Sequence, residues 1–122
     1  MDKKKIVAFC CENSSYKAAE SIRTSSLMKA VEVVKLPCAG KVEIGQILKC
    51  LENGVERVLV LGCPIDNCKY ITGNCRALKR VNAARQALKD AGIEEEKVRI
   101  ELVSSLDTHK LIDILKGEME RL

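Results

Sequence analysis

Aromatic side chains are almost missing: the 122 residues hold no Trp, and Phe9, Tyr16 and Tyr70 are the whole complement. Modules that grip single-stranded nucleic acid stack bases on aromatic platforms, which these three residues cannot supply. An excess of one charge sign is missing too. Lys and Arg number 21 against 17 Asp and Glu, and the net +4 is spread along the chain rather than gathered in a basic tail. No nucleic-acid partner is expected. Nor does any apolar run approach the about 20 residues of a membrane helix. The charged start, Met1 to Lys5, leads into a short apolar run, Ile6 to Cys11, that ends in Glu12-Asn13-Ser14 and is too brief for a secretory signal. Neither a membrane span nor secretion is expected.

What the chain has in excess is cysteine. There are seven, and an odd number cannot all pair within one chain. With 47% apolar residues, one domain over residues 1–122 can bury a core without a disulfide scaffold. The expected setting is a reducing cytoplasm, where thiols stay free or bind metal.

Four short β-branched runs alternate with four segments of helical period, which argues for a parallel sheet flanked by helices. The expected strands are Lys5 to Cys11, Val31 to Leu36, Arg57 to Leu61 and Val98 to Val103. The expected helices are Ser15 to Met28, Glu43 to Glu52, Asn74 to Ala91 and Thr108 to Arg121. Asn53-Gly54 and Ala91-Gly92 read as helix ends, and Asp107 as an N-cap. Apolar stripes run through Ile44, Ile47, Leu48 and Leu51, through Leu78, Val81 and Leu88, and through Leu111, Ile112, Leu115 and Met119. The element order favours an α/β fold: a small flavodoxin-like three-layer sandwich, its four-stranded sheet in the order 2-1-3-4 with helices on both faces.

In such a sheet, functional groups gather beyond the carboxyl ends of the strands. Cys10 and Cys11 close the first expected strand, Cys38 follows the second, and Cys63 follows the third with Cys68 in the same loop. Five of the seven cysteines thus converge on one rim from three loops. Cys50 and Cys75, both in helices, read as small buried hydrophobes. Cys10 suits an inward strand position as well as a ligand position. Cys11, Cys38, Cys63 and Cys68 read as four thiolates able to hold an iron–sulfur cluster or a structural zinc. Structural zinc usually takes two short Cys-x-x-Cys knuckles, whereas these cysteines are separated by 27, 25 and 5 positions. The cluster is therefore favoured. From Lys69 to Lys89 the chain carries Lys69, Arg76, Lys79, Arg80, Arg85 and Lys89 with no acid, a stripe suited to an anionic cluster or an acidic partner.

The residues Phe9-Cys10-Cys11-Glu12-Asn13-Ser14-Ser15-Tyr16, Leu36-Pro37-Cys38-Ala39-Gly40-Lys41-Val42, Gly62-Cys63, Cys68-Lys69-Tyr70-Ile71-Thr72-Gly73-Asn74 and Arg80 resemble the delta subunit of methyl-viologen-reducing hydrogenase. The resemblance implies a two-iron, two-sulfur ([2Fe-2S]) cluster and electron transfer between a hydrogenase, or another donor module, and the A-type subunit of heterodisulfide reductase. It matches Cys11, Cys38, Cys63 and Cys68 to family cysteines. Many members carry a further cysteine at the position of Ser14 and a histidine at that of Lys69; Cys10 is the nearest substitute for the former.

Other classes fit less well. The loop from Cys10 to Lys17 is similar to the phosphate loop of low-molecular-weight tyrosine phosphatases and arsenate reductases, whose thiolate needs an arginine six positions later. Tyr16 and Lys17 stand there instead. A flavin would need flanking aromatic residues, and a receiver domain clustered acids, where this rim has thiols. His109, the lone histidine, reads as a solvated helix residue. A zinc-stapled interaction module built on the same four cysteines is the non-redox alternative.

Overall fold

The computed structural model describes residues 5–38, 41–62 and 73–121. Two strands, β1 (Ile6–Cys11) and β3 (Arg57–Gly62), are buried at every position, because helices cover both of their faces. Such double burial is why Ile6–Cys11 and residues 58–61 read as unbroken apolar runs. The edge strands β2 (Val31–Leu36) and β4 (Val98–Leu102) alternate or stay half-exposed. All pairings are parallel, in the order β2-β1-β3-β4, as the element pattern predicts.

The helices are α1 (Ser15–Ser21), α2 (Ile44–Glu52), α3 (Gly73–Asp90) and α4 (Thr108–Glu120). Their distribution follows from the strand order. The connection β1 to β2 runs one way across the sheet, while β2 to β3 and β3 to β4 run the other, so right-handed crossovers place α1 opposite α2 and α3. On the face of α1 and α4, Ile6, Ala8, Cys10, Leu59 and Leu61 pack against Ala18, Ala19, Leu111 and Leu115. On the other face, Val7, Phe9, Val58 and Val60 pack against Ile47, Ala77, Val81, Ala84 and Leu88. The sense of chain progression reverses between β1 and β3, and their carboxyl ends open the crevice where such sheets bind ligands.

Several expectations need correction. The first helix stops at Ser21, and Met28 lies in a separate 3-10 turn, Ser26–Ala30. At the break, the Ser21 hydroxyl donates to the Ala18 carbonyl at 2.6 Å and so competes with the helix ladder, while the Ser25 hydroxyl accepts the Leu27 N–H at 3.3 Å and caps the 3-10 turn that follows. Leu78 does not join the core stripe of α3; it is 48% exposed. The buried series is instead Ala77, Val81, Ala84 and Leu88, whose small residues let the helix lie close to the sheet. The stripe of α4 contains Glu118, wholly buried beside Leu111 and Leu115, with Ile112 and Met119 at its margins. The fourth strand also ends one residue early, at Leu102, although Val103 remains buried.

Expected helix ends are seen at Gly54 (φ 94°) and Gly92 (φ 76°), the two residues with positive φ among those described. Both use the left-handed conformation that glycine adopts without a Cβ penalty. The Val55 N–H then reaches the Cys50 carbonyl, and the Ile93 N–H that of Leu88. Asp107 stands at the N-cap of α4, but its carboxylate turns back to the Ser104 N–H at 3.2 Å.

At the amino end of the sheet, Glu118 is the anchor of an ionic group. It accepts from Arg57 Nε and, at 2.6 Å, from Arg99 Nη1; Arg99 also meets Glu101 at 2.7 Å. Arg57 is 6% exposed and Glu118 0%, so each side chain neutralises a charge that could not remain buried alone.

Candidate functional site

Parallel register brings the ends of the strands level. Cys11 faces Leu36 across the β1–β2 pair, Cys10 faces Leu61 across β1–β3, and Gly62 faces Leu102 across β3–β4. The Glu12 N–H continues the ladder to the Leu36 carbonyl at 2.8 Å. The chain leaving β2 therefore runs beside the chain leaving β1. Cys11 Sγ lies 3.9 Å from the Pro37 carbonyl, and the next residue is Cys38. Cys11 and Cys38 are both 3% exposed.

Cys63 and Cys68 lie outside the described residues, as do Lys69 and Tyr70. Gly62, which immediately precedes Cys63, ends β3 at the same rim. Among the described residues, no three His, Cys, Asp or Glu side chains form a group that would hold a metal ion.

Cys10 and Cys11 point to opposite sides of the sheet, as neighbours on a strand must. The Cys10 thiol is sealed into the α1/α4 core, where Sγ lies 3.7 Å from the Ala8 carbonyl. Burial pushes its pKa up to about 12; the Ser15 hydroxyl opposes that shift and Cys11 adds slightly to it. Cys50 sits near the carboxyl end of α2, packed at the edge of the opposite core face. Its pKa is raised by burial first and by Glu32 second. Cys10, Cys11 and Cys50 are not in disulfides.

The first loop is held by two adjacent serines with contrasting environments. Ser15 is fully used: its hydroxyl accepts the Cys11 N–H at 2.9 Å and donates to the Leu61 carbonyl at 2.6 Å, tying the ends of β1 and β3 to the start of α1. Ser14 closes the turn from Cys11, its N–H donating to the Cys11 carbonyl at 3.1 Å. Its own hydroxyl is buried and is the one buried side-chain oxygen or nitrogen without a hydrogen-bond partner among the described residues. Leaving such a group unpaired costs about 1–3 kcal/mol. The resemblance marks Ser14, where many family members carry a cysteine, but nothing in the sequence says that its hydroxyl is left unpaired while that of Ser15 is bonded; that difference arises from the three-dimensional position of Leu61.

The same contacts weaken the phosphate-loop alternative. An oxyanion loop must aim free N–H groups at its ligand. Here the N–H groups of Glu12, Ser14 and Lys17 already donate to Leu36, Cys11 and Ser14 carbonyls, and the Cys10 thiol faces the core. His109 is exposed in the first turn of α4.

The basic stripe divides into anchored and exposed cations. Arg80 is half-buried, donating from Nη1 to the Val42 carbonyl at 2.7 Å, and so fastens α3 to the connection after Cys38. Arg85 engages Glu95 through a side-chain ion pair at 3.6 Å and a bond to its carbonyl. Arg76, Lys79 and Lys89 are exposed. Arg76 and Lys79 flank exposed Leu78 near the start of α3, at the rim end of the molecule. No helix among the described residues is long and apolar enough to cross a membrane.

Fold and rim together define a small doubly wound α/β domain with buried thiols at the carboxyl edge of its sheet. The chain matches the methyl-viologen-reducing hydrogenase delta subunit family over residues 6–122 and belongs to that family. It is 37% identical over 118 residues to the D-type iron-sulfur subunit of the vhu F420-non-reducing hydrogenase of Methanopyrus kandleri, covering 95% of this chain and 89% of that one. The D-type iron-sulfur subunit of the F420-non-reducing hydrogenase of Archaeoglobus profundus is 37% identical over 113 residues, 90% of this chain and 82% of the relative. A third relative is much longer. The A-type subunit of the ferredoxin:CoB-CoM heterodisulfide reductase of Methanosarcina mazei is 30% identical over 104 residues, which are 84% of this chain but 13% of that protein.

Proposed function

We propose that this chain is an electron-transfer subunit in which Cys11, Cys38, Cys63 and Cys68 hold a two-iron, two-sulfur cluster at the carboxyl rim. The observation that carries this reading is the juxtaposition of two buried cysteines, Cys11 and Cys38, at the ends of paired strands. Gly62, one residue before Cys63, ends the next strand at the same level. Thiolate donors suit iron–sulfur clusters and zinc, and the relatives named as iron-sulfur subunits favour the former. Bound there, the cluster supplies one-electron redox chemistry.

The chain's own work is positional. Ser15 locks β1, β3 and α1 together directly behind Cys11, and Arg80 holds the segment after Cys38 against α3. Both fix ligand positions before a cluster is assembled, which limits reorganisation when the electron arrives. Cys10 stands apart from this set because its thiol faces the α1/α4 core.

The partners we infer are a hydrogenase or other donor module and a protein like the A-type subunit of heterodisulfide reductase. The occurrence of a similar segment inside such a heterodisulfide reductase polypeptide supports the second, since modules that exchange electrons are often found both fused and free. The exposed trio Arg76, Leu78 and Lys79 offers a positive rim with a small apolar centre, suited to an acidic partner face.

Electron transfer tests this directly. Stopped-flow mixing of the reduced, cluster-loaded chain with a partner of that type should reoxidise it within a turnover; absence of transfer from a loaded protein would contradict the function. Arg76→Glu with Lys79→Glu should slow the reaction about tenfold or more at low salt, with the gap closing as ionic strength rises. Equal rates at every salt concentration would show that the partner approaches elsewhere. Arg80 is excluded from this pair because its bond to Val42 makes it structural.

A further inference from the structure

Ser14 is 4% exposed, and its buried hydroxyl has no hydrogen-bond partner among the described residues. Alanine would fill the same turn without burying an unpaired O–H. Ser15, the next residue, shows that this loop can satisfy a buried hydroxyl completely. Local geometry does not force Ser14 into isolation for the sake of a backbone bond either, because its N–H and carbonyl are engaged independently of the side chain: the N–H donates to the Cys11 carbonyl, and the carbonyl accepts from Lys17 and Ala18. The hydroxyl is therefore a buried donor held three residues from Cys11, in the turn that the Cys11 carbonyl closes.

We propose that the Ser14 hydroxyl donates a hydrogen bond to a sulfur of the metal group held at Cys11 and Cys38, and thereby tunes its reduction potential. The inference rests on the cluster reading above. A metal-bound thiolate or bridging sulfide is an electron-rich acceptor, and becomes more so when the centre takes up an electron. A donor aimed at it stabilises the reduced form more than the oxidised form and raises the potential. Ser14 is thus a positioning and tuning residue, neither a ligand nor a proton carrier.

Ser14→Ala removes the donor while keeping the fold of the turn, whose backbone bonds do not involve the side chain. After anaerobic loading, the variant should retain the parent's iron and sulfide. Its reduced-to-oxidised ratio at a fixed potential should fall about tenfold, equivalent to about 59 mV for one electron. Electron–nuclear double resonance of the reduced parent in H2O and D2O should show an exchangeable proton coupled to the cluster that Ser14→Ala lacks. Without metal, the variant should be at least as stable as the parent, because it no longer buries an unpaired hydroxyl. An unchanged potential together with an unchanged proton signal would overturn the proposal. Loss of iron from a folded Ser14→Ala would overturn it in another way, by making the oxygen a ligand. A parent chain that carries no iron refutes the cluster reading itself, a result obtained before any variant is made.

Discussion

Cys38→Ser and Cys68→Ser are each expected to strip the visible absorption from anaerobically loaded protein, whereas Cys10→Ser, Cys50→Ser and Cys75→Ser should leave it nearly unchanged. Cys38 is the sole cysteine of its connection, so no neighbour can replace it. Losing an outer-shell partner of a metal site already costs about 10–100-fold in affinity, and losing one of four thiolates should cost more. The bystanders differ for stated reasons. Cys10 is turned into the α1/α4 core with its thiol on the Ala8 carbonyl, and Cys50 lies in the last turns of α2, away from the rim. The check is an absorption spectrum with iron analysis on each folded variant. Loss of the cluster in Cys50→Ser, or in a folded Cys10→Ser, would contradict the ligand set.

The second large effect is expected at the opposite end of the sheet. Glu118→Ala removes the carboxylate that meets both Arg57 and Arg99, and leaves the Arg57 guanidinium, 6% exposed at the residue level, without its counter-ion. Breaking one side of a buried pair costs about 3–5 kcal/mol, a large share of the about 5–15 kcal/mol that holds a domain together. Urea unfolding should show a correspondingly lower midpoint with the same slope. Glu118→Gln, which keeps an acceptor for Arg57 but not the charge, should fall between the two. A midpoint unchanged in Glu118→Ala would mean that water reaches Arg57 and that the ion pair is only a surface feature.

These two regions differ in how far they can be read from sequence. The placement of Cys11 and Cys38 is legible because strand ends announce themselves: an apolar run stops, and these two cysteines stand at or just beyond the stop. The order β2-β1-β3-β4 is legible for the same reason, since continuous apolar runs demand cover on both faces and handedness then leaves few topologies. Pairings between distant positions are not legible. Glu118 lies seven residues from Leu111 on the buried stripe of α4, and nothing local says that Arg57, 61 positions earlier, waits beneath it. Arg80 likewise reads as one more surface cation until the Val42 carbonyl is placed next to it. Leu78 shows the reverse error: it has the right chemistry for a core stripe and the wrong phase, because the alanines of α3 set which face approaches the sheet. The early end of α1 belongs to side-chain competition at Ser21 and the cap that Ser25 gives the next turn, local effects that a purely periodic reading overlooks.

Whether these thiols serve iron and sulfide is decided by quantitative metal and acid-labile sulfide analysis of the protein purified without oxygen. The expected result is about two iron atoms and two sulfides per chain, in a brown protein that gives a paramagnetic signal on one-electron reduction. About one zinc per chain with no sulfide, in a colourless protein, would contradict the electron-transfer reading and make the rim a structural staple.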